Sequence, residues 1–327
     1  MLDHGGNMDA AMARFGGGPQ DWIDLSTGIN RVPYPLPDLP ARAWTDLPTR
    51  ADMARLSAAA RDVWGIRGAV LPLSGAQQAI QLIPRLTVPG LARVLSPTYN
   101  EHAASLVAAG WRVEAAADLA ALAGADLAVV VNPNNPDGRH HDPADLLALL
   151  PQVGQLVVDE SFADPTPAMS LAGETGRSGL WVLRSFGKFY GLAGLRLGFA
   201  LGAEGAVLRL ATLAGPWPVS GAAIEVGCNA LADRAWQVET TARLALDAAR
   251  LDALSPWPLV GGTTLFRLYD TPDAAMAQTL LARHHVWSRI FPWSPRLIRL
   301  GLPAPQEWAR VEAALGQIAG QLKGAAE

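Results

Sequence analysis

The chain has 327 residues, half of them hydrophobic and only 17% charged, with a formal charge of −4 at neutral pH. That length supports one large domain plus a smaller one, and the mild acidity argues against nucleic acid or an anionic membrane as a main partner. No apolar run approaches the ~18 residues of a membrane helix, the Met1–Asn7 stretch lacks the order of a signal peptide, and the single cysteine, Cys228, excludes an internal disulfide and reads as a small buried hydrophobe in a reducing cytoplasm.

Residues 1–45 are rich in Gly and Pro and form an N-terminal arm. Within it Val32-Pro33-Tyr34-Pro35-Leu36-Pro37 must be extended, because each Pro biases its predecessor away from the α region. A helix is predicted over Asp52–Trp64, with Met53, Leu56, Ala60 and Val63 on one stripe. Short apolar strands then alternate with helices, the strands being Ala69–Leu73, Arg93–Ser96, Leu127–Val131, Gln155–Val158, Leu180–Leu183 and Leu197–Leu201. Such alternation predicts an α/β large domain over residues 46–216, with a mostly parallel sheet flanked by helices. In sheets of that kind ligands bind beyond the carboxyl ends of the strands. Residues 217–327 form a smaller α+β domain: a long helical stretch over 221–254, a hairpin at Leu259–Leu268, a helix over Ala274–His284, two short strands and a C-terminal helix over Gln306–Lys323.

Four strand ends carry polar residues that a core would not tolerate. Ser74-Gly75-Ala76-Gln77 is a strand-to-helix turn whose free N–H groups suit an anion, although a plain helix cap has the same composition. Tyr99, in Ser96-Pro97-Thr98-Tyr99, could stack on a planar ring. Asn132-Pro133-Asn134-Asn135-Pro136-Asp137-Gly138 is a tight loop that aims its Asn side chains reproducibly past the strand end. Asp159 closes an apolar, buried strand, so its carboxylate needs a partner there. No His/Cys/Asp cluster has metal-ligand spacing.

The densest loop is Ser185-Phe186-Gly187-Lys188-Phe189-Tyr190-Gly191-Leu192-Ala193-Gly194-Leu195-Arg196-Leu197-Gly198. Lys188 is one of only two lysines, in a chain that otherwise uses Arg for its cations. An amine can shed its proton and form a Schiff base, whereas a guanidinium cannot. A reactive lysine, a buried carboxylate, a stacking ring and an anion cradle together describe a site for a phosphorylated, cationic aromatic aldehyde, pyridoxal 5′-phosphate (PLP). Arg196 and Ser185, with the Gly75-Ala76-Gln77 turn, would take its phosphate.

On these motifs the chain resembles the fold type I PLP enzymes, the aspartate aminotransferase superfamily, from about residue 22 to 315. The resemblance rests on Asn135-Pro136-Asp137-Gly138, on Asp159, and on Ser185-x-x-Lys188 with Gly194-x-Arg196-x-Gly198. Within it the chain is similar to the histidinol-phosphate aminotransferase branch and, more narrowly, to the threonine-phosphate decarboxylases of cobalamin biosynthesis. The narrower pointers are His4-Gly5-Gly6-Asn7, Asp24-Leu25-Ser26-Thr27-Gly28-Ile29-Asn30, Asp159-Glu160-Ser161-Phe162 and Arg299-Leu300-Gly301-Leu302-Pro303. Phe162 departs from the branch, which usually has Tyr there; without a hydroxyl, the electronics of the cofactor site should differ.

The resemblance and the low charge imply a homodimer, and the resemblance implies a small phosphorylated amino acid as substrate, with Lys188 as the cofactor's anchor. Asp159 would keep the pyridine nitrogen protonated, and Asn135 would also lie on the ring. Catalytic roles then fall to Lys188, Asp159 and Tyr99. Arg299 is the candidate for the substrate carboxylate or equally the phosphate; Arg289, His4, Asn30 and Asn135 complete the substrate-binding set. The expected reaction is decarboxylation of L-threonine O-3-phosphate to (R)-1-amino-2-propanol O-2-phosphate. Transamination of histidinol phosphate or an aromatic amino acid is the alternative, and a non-catalytic PLP-fold binding module a remote one.

Overall fold

The structure, a computed structural model, describes residues 5–324; His4 lies outside them. The chain forms two compact units, one comprising the chain up to Val32, Pro136–Gly138 and the residues from Val238 on, the other Pro33–Asn135 with Arg139–Gln237. The first strand, β1 (Ile23–Asp24), belongs to the first unit.

The second unit is built on a seven-stranded sheet of β2 (Ala69–Leu73), β3 (Leu91–Leu95), β4 (Arg112–Ala116), β5 (Leu127–Val131), β6 (Leu156–Asp159), β7 (Leu180–Ser185) and β8 (Gly198–Gly202), in the order β2-β8-β7-β6-β5-β3-β4. Only β8 runs against its neighbours, so the sheet is mostly parallel, as the alternating pattern implies. Strands β5, β6 and β8 are buried at every residue, as sheets covered on both faces require. On one face Leu73, Val94, Val129, Val157, Leu183 and Ala200 pack with Ile80, Ile83, Leu106 and Leu210 of the covering helices. The hydrophobic pattern does not announce β4: its Arg112 and Glu114 are exposed on the sheet edge, where charge blunts further pairing.

The Arg50–Trp64 helix starts two residues before the predicted Asp52 because Thr49 and Asp52 close a capping box, the Thr49 Oγ accepting from the Asp52 N–H at 3.1 Å. The helical stretch 221–254 is two helices, Gly221–Ala232 and Arg234–Leu254, broken at Asp233, whose side chain accepts the Trp236 N–H at 3.0 Å. Gly227 faces Leu56 and Leu197, which draws the Gly221–Ala232 helix onto the sheet-bearing unit. The border of that unit therefore falls after Gln237 rather than at 216. Half-buried Cys228 lies on the same helix, not in the core.

In the first unit β9 (Leu259–Thr263), β10 (Phe266–Asp270), β12 (Arg289–Phe291) and β13 (Ser294–Gly301) make an antiparallel sheet, while β11 (Val286–Trp287) pairs in parallel with β1. Leu259–Leu268 is the expected hairpin. The N-terminal segment is more than an arm: Asp9–Phe15 is a helix, and Ile23 and Leu25 are core residues beside β11. Residues 33–37 have no regular structure, and Tyr34 fixes them to the second unit by donating its N–H to the Tyr190 carbonyl and setting its ring edge-on to Trp236.

Candidate active site

Sheet register brings the polar loops of the second unit to one edge. Gly198, at the start of β8, lies opposite both Leu73 and Ser185, so the Ser74–Gln77 turn and the lysine loop flank Arg196. Asp159, ending β6, lies opposite Val131 and Leu183, between the asparagine loop and the lysine loop. The Ser96–Tyr99 loop follows β3, next to β5. Strand order alone therefore gathers Gly75, Ala76, Gln77, Tyr99, Asn135, Asp159, Ser185, Lys188 and Arg196 along one row.

At one end of the row the backbone approaches unusually closely. A Cβ on Gly198 would lie 2.2 Å from the Ala76 nitrogen, and one on Gly75 would lie 2.7 Å from Arg196 Nη2. Gly75 has φ +78° and Arg196 φ +54°, so both residues sit in the left-handed region. The glycine is what lets the guanidinium rest over the first turn of the Ala76–Leu82 helix. The Ser74 and Gly75 N–H groups are bonded to Gln78 Oε1 and the Leu73 carbonyl, both at 2.7 Å, so the cradle for a phosphate-sized dianion is the guanidinium with the Ala76 and Gln77 N–H groups that open the helix.

At the other end Asp159 is 2% exposed yet ionised. Burial pulls its carboxyl up, but His102 and then Ser161 more than offset this and leave it below the usual carboxylate range. His102 Nε2 lies 2.9 Å from Oδ2, while Ser161 donates its N–H (3.0 Å) and hydroxyl (2.5 Å) to Oδ1. A fixed buried carboxylate suits a cationic ring nitrogen, the pairing that a pyridinium needs. Lys188 Nζ sits 5.7 Å from the centre of the Phe162 ring, on the loop that follows Asp159.

Between these ends Tyr99 donates its hydroxyl to Gln77 Oε1 (3.3 Å), and Gln77 donates its amide to Glu101 (2.7 Å). Burial first, then the charges of Glu101 and Asp159, push the Tyr99 phenol up to about 12, so it stays a donor at working pH. Thr98 donates to Asn134 Oδ1 at 2.6 Å, fixing the residue next to Asn135. These residues fit PLP: a dianion cradle, a flat ring, a buried carboxylate and an amine share one strand-end row.

His102, Ser161, Thr98 and Glu101 were not legible as site residues. His102 had one signal, its place three residues after Tyr99 on a helix's first turn, which puts both rings on one face.

The substrate candidates Asn30, Arg289 and Arg299 belong to the first unit. Arg289 lies directly opposite Arg299 in the β12–β13 register. Burial first, then the charge of Arg289, lower the basicity of the Arg299 guanidinium, with Asp24 acting the other way. Two such charges side by side call for an anion. Asn30 is buried, its amide oxygen accepting from Arg243 Nη2 (2.8 Å) and the Val32 N–H (3.0 Å), so it holds the turn into residue 33. In the Asn135–Gly138 motif, Gly138 has φ +70° and a Cβ there would lie 2.1 Å from the Gly262 carbonyl oxygen, so this glycine serves close packing against the β9–β10 hairpin.

The fold and this strand-end row define an α/β enzyme of the aminotransferase type. The family model for aminotransferase class I and II matches residues 50–318, and the chain belongs to that family. It is 45% identical, over 96% of its own length and 97% of the relative's, to a threonine-phosphate decarboxylase of Pseudomonas aeruginosa. It is 43% identical, over 91% and 92%, to one from a Sinorhizobium species. The fold matches histidinol-phosphate aminotransferase of Sinorhizobium meliloti, solved in complex with PLP, with a TM-score of 0.81 over 98% of this chain and 96% of that one at 20% identity.

Proposed function

We propose that the chain is a PLP-dependent carboxy-lyase that converts L-threonine O-3-phosphate to (R)-1-amino-2-propanol O-2-phosphate, a step of cobalamin biosynthesis. The near-full-length likeness to enzymes named threonine-phosphate decarboxylase carries this reading. The strand-end row of the second unit supports the cofactor half of it.

In this reading Arg196, Ser185 and the Gly75-Ala76-Gln77 turn would hold the cofactor phosphate, Tyr99 would offer its ring as a stacking surface, and Asn135 and Asp159 would hold the polar edge of the cofactor. Lys188 would anchor it through its amine. When bound, PLP supplies an electron sink for the pair left on the α-carbon as CO₂ departs. Asp159, held ionised by His102 and Ser161, keeps a proton on the ring nitrogen and so keeps that sink open. Arg299 and Arg289 would grip the two anionic ends of the substrate, with His4 as a further phosphate ligand, and a fixed orientation of that substrate would select the Cα–carboxylate bond over Cα–H. A grip that stabilised the carboxylate too well would oppose its loss. The Cα–C bond would break with loss of CO₂, and the Lys188 ammonium would deliver one proton to the α-carbon.

The N-terminal segment up to Val32, together with the residues from Val238 on, would set substrate choice. A second copy of the chain is the expected partner: Trp44, Leu47 and Trp217 are 70%, 64% and 54% exposed, surface that a homodimer would cover. The single cysteine suits a cytoplasmic enzyme.

The test is an assay of the PLP-loaded protein on L-threonine O-3-phosphate, with and without 2-oxoglutarate. CO₂ release independent of 2-oxoglutarate is expected. Glutamate formation without CO₂ would instead establish the aminotransferase.

A further inference from the structure

Ser26 is 1% exposed and bonded on three sides. Its hydroxyl accepts the Gly6 N–H at 2.7 Å and donates to Asp24 Oδ1 at 2.6 Å. Its N–H donates to the same Asp24 oxygen at 2.8 Å. Its carbonyl accepts Arg299 Nη2 at 2.7 Å. On the arm side the approach is so tight that a Cβ on Gly5 would lie 2.5 Å from the Ser26 carbonyl oxygen. On the sheet side, Gly301 donates its N–H to the Leu25 carbonyl at 2.7 Å, and a Cβ on Gly301 would lie 2.4 Å from the Thr27 carbonyl oxygen. Residues 25–27 are therefore clasped between the Gly5–Gly6 segment and the end of β13.

One carbonyl oxygen thus serves two surfaces: the arm's glycine rests on it, and the buried Arg299 guanidinium bonds to it. The Asp24 carboxylate fixes the serine through two hydrogen bonds and favours the charge on Arg299. Ser and Gly are what such a seat needs: a short hydroxyl that reaches a passing N–H, and a residue with no Cβ to keep the chains apart. Neither Ser26 nor Gly5 carries chemistry of its own.

We propose that Ser26 is a positioning residue that registers the N-terminal segment on the Arg299 side chain, so that the arm and the arginine meet a phosphorylated amino-acid substrate as one preset anion site. The claim rests on the decarboxylase reading for the identity of the substrate, and on the hydrogen bonds alone for the seat. Two variants perturb the seat from opposite sides without altering Arg299. Ser26→Ala removes the acceptor for the Gly6 N–H and keeps the carbonyl that holds Arg299. Gly5→Ala pushes a methyl into that carbonyl.

The experiment measures KM and kcat for CO₂ release from L-threonine O-3-phosphate by the PLP-loaded enzyme, alongside amide hydrogen exchange of the peptide covering residues 5–15. Loss of one well-formed buried hydrogen bond predicts about tenfold faster exchange in that peptide and a KM raised about tenfold, with kcat held within about threefold. Both variants should behave alike. Exchange as slow as wild type in Ser26→Ala, or an unchanged KM beside faster exchange, would overturn the proposal while leaving the decarboxylase reading intact. A wild-type enzyme that releases no CO₂ would refute that reading instead. The seat itself would still be decided by the exchange comparison.

Discussion

Gly75→Ala probes the phosphate cradle without removing any group that bonds to phosphate. The new Cβ would lie 2.7 Å from Arg196 Nη2, well inside the ~3.5 Å of an ordinary contact. The backbone at position 75 is fixed by Leu73 pairing with Gly198 and by the close approach of Gly198 to Ala76, so the flexible guanidinium must swing away. Holding an alanine at φ +78° adds about 1–2 kcal/mol of strain, which should appear as a modest loss of stability. Displacing the guanidinium forfeits charge-assisted hydrogen bonds to phosphate of about 1.5–3 kcal/mol, or about ten- to 150-fold in Kd for PLP. Titrating the apoenzyme with PLP by absorbance measures this directly. Arg196→Met should weaken binding at least as much, and adding Gly75→Ala to it should cost little more affinity, because the group that moves is already gone. Wild-type affinity in Gly75→Ala, or additive losses in the double variant, would refute the cradle.

The remaining predictions concern the buried charges. Asp159 lies below its unfolded value in the folded protein, so its contribution to stability is complete above the usual carboxylate range and is lost as pH falls through the depressed value. The gap in stability between wild type and Asp159→Asn should therefore stay constant from about pH 8 to 5 and narrow only below about pH 4. Urea melts across that range would show it. His102→Leu removes the partner of Asp159 and should shift the pH dependence of the bound cofactor's absorbance, with His102→Asn restoring part of the wild-type profile; identical profiles would make His102 mere packing. Glu160→Gln breaks the buried pair in which Arg184 also bonds Asp164 and covers Trp64, and should lower stability by about 3 kcal/mol with little change in PLP affinity.

Much of the sheet was legible because β5 is an unbroken apolar run and β6 and β7 are apolar up to their last one or two residues, the signature of strands covered on both faces. Where the pattern stopped, tertiary context decided. Arg112–Ala116 joins the sheet through the main chain of β3, and its side chains carry no alternation to announce it. The helix break at Asp233 depended on a single cap within an Ala-rich stretch. In the site, residues whose chemistry is unusual for their setting could be picked out: a lone loop lysine, and an aspartate ending an apolar strand. The residues that hold them could not. His102, Ser161 and Thr98 act through spatial neighbours 57, two and 36 positions away, and nothing in their local sequence marks two of these three.

The most direct test of the account is the fate of hydrogen at the α-carbon when L-threonine O-3-phosphate is turned over in D₂O. Loss of CO₂ followed by one proton delivery at Lys188 predicts a product carrying a single deuterium at C1 beside the original α-hydrogen, with Lys188→Ala yielding none. Replacement of the α-hydrogen by deuterium in recovered substrate, or amino transfer to an added oxo acid without CO₂, would contradict it.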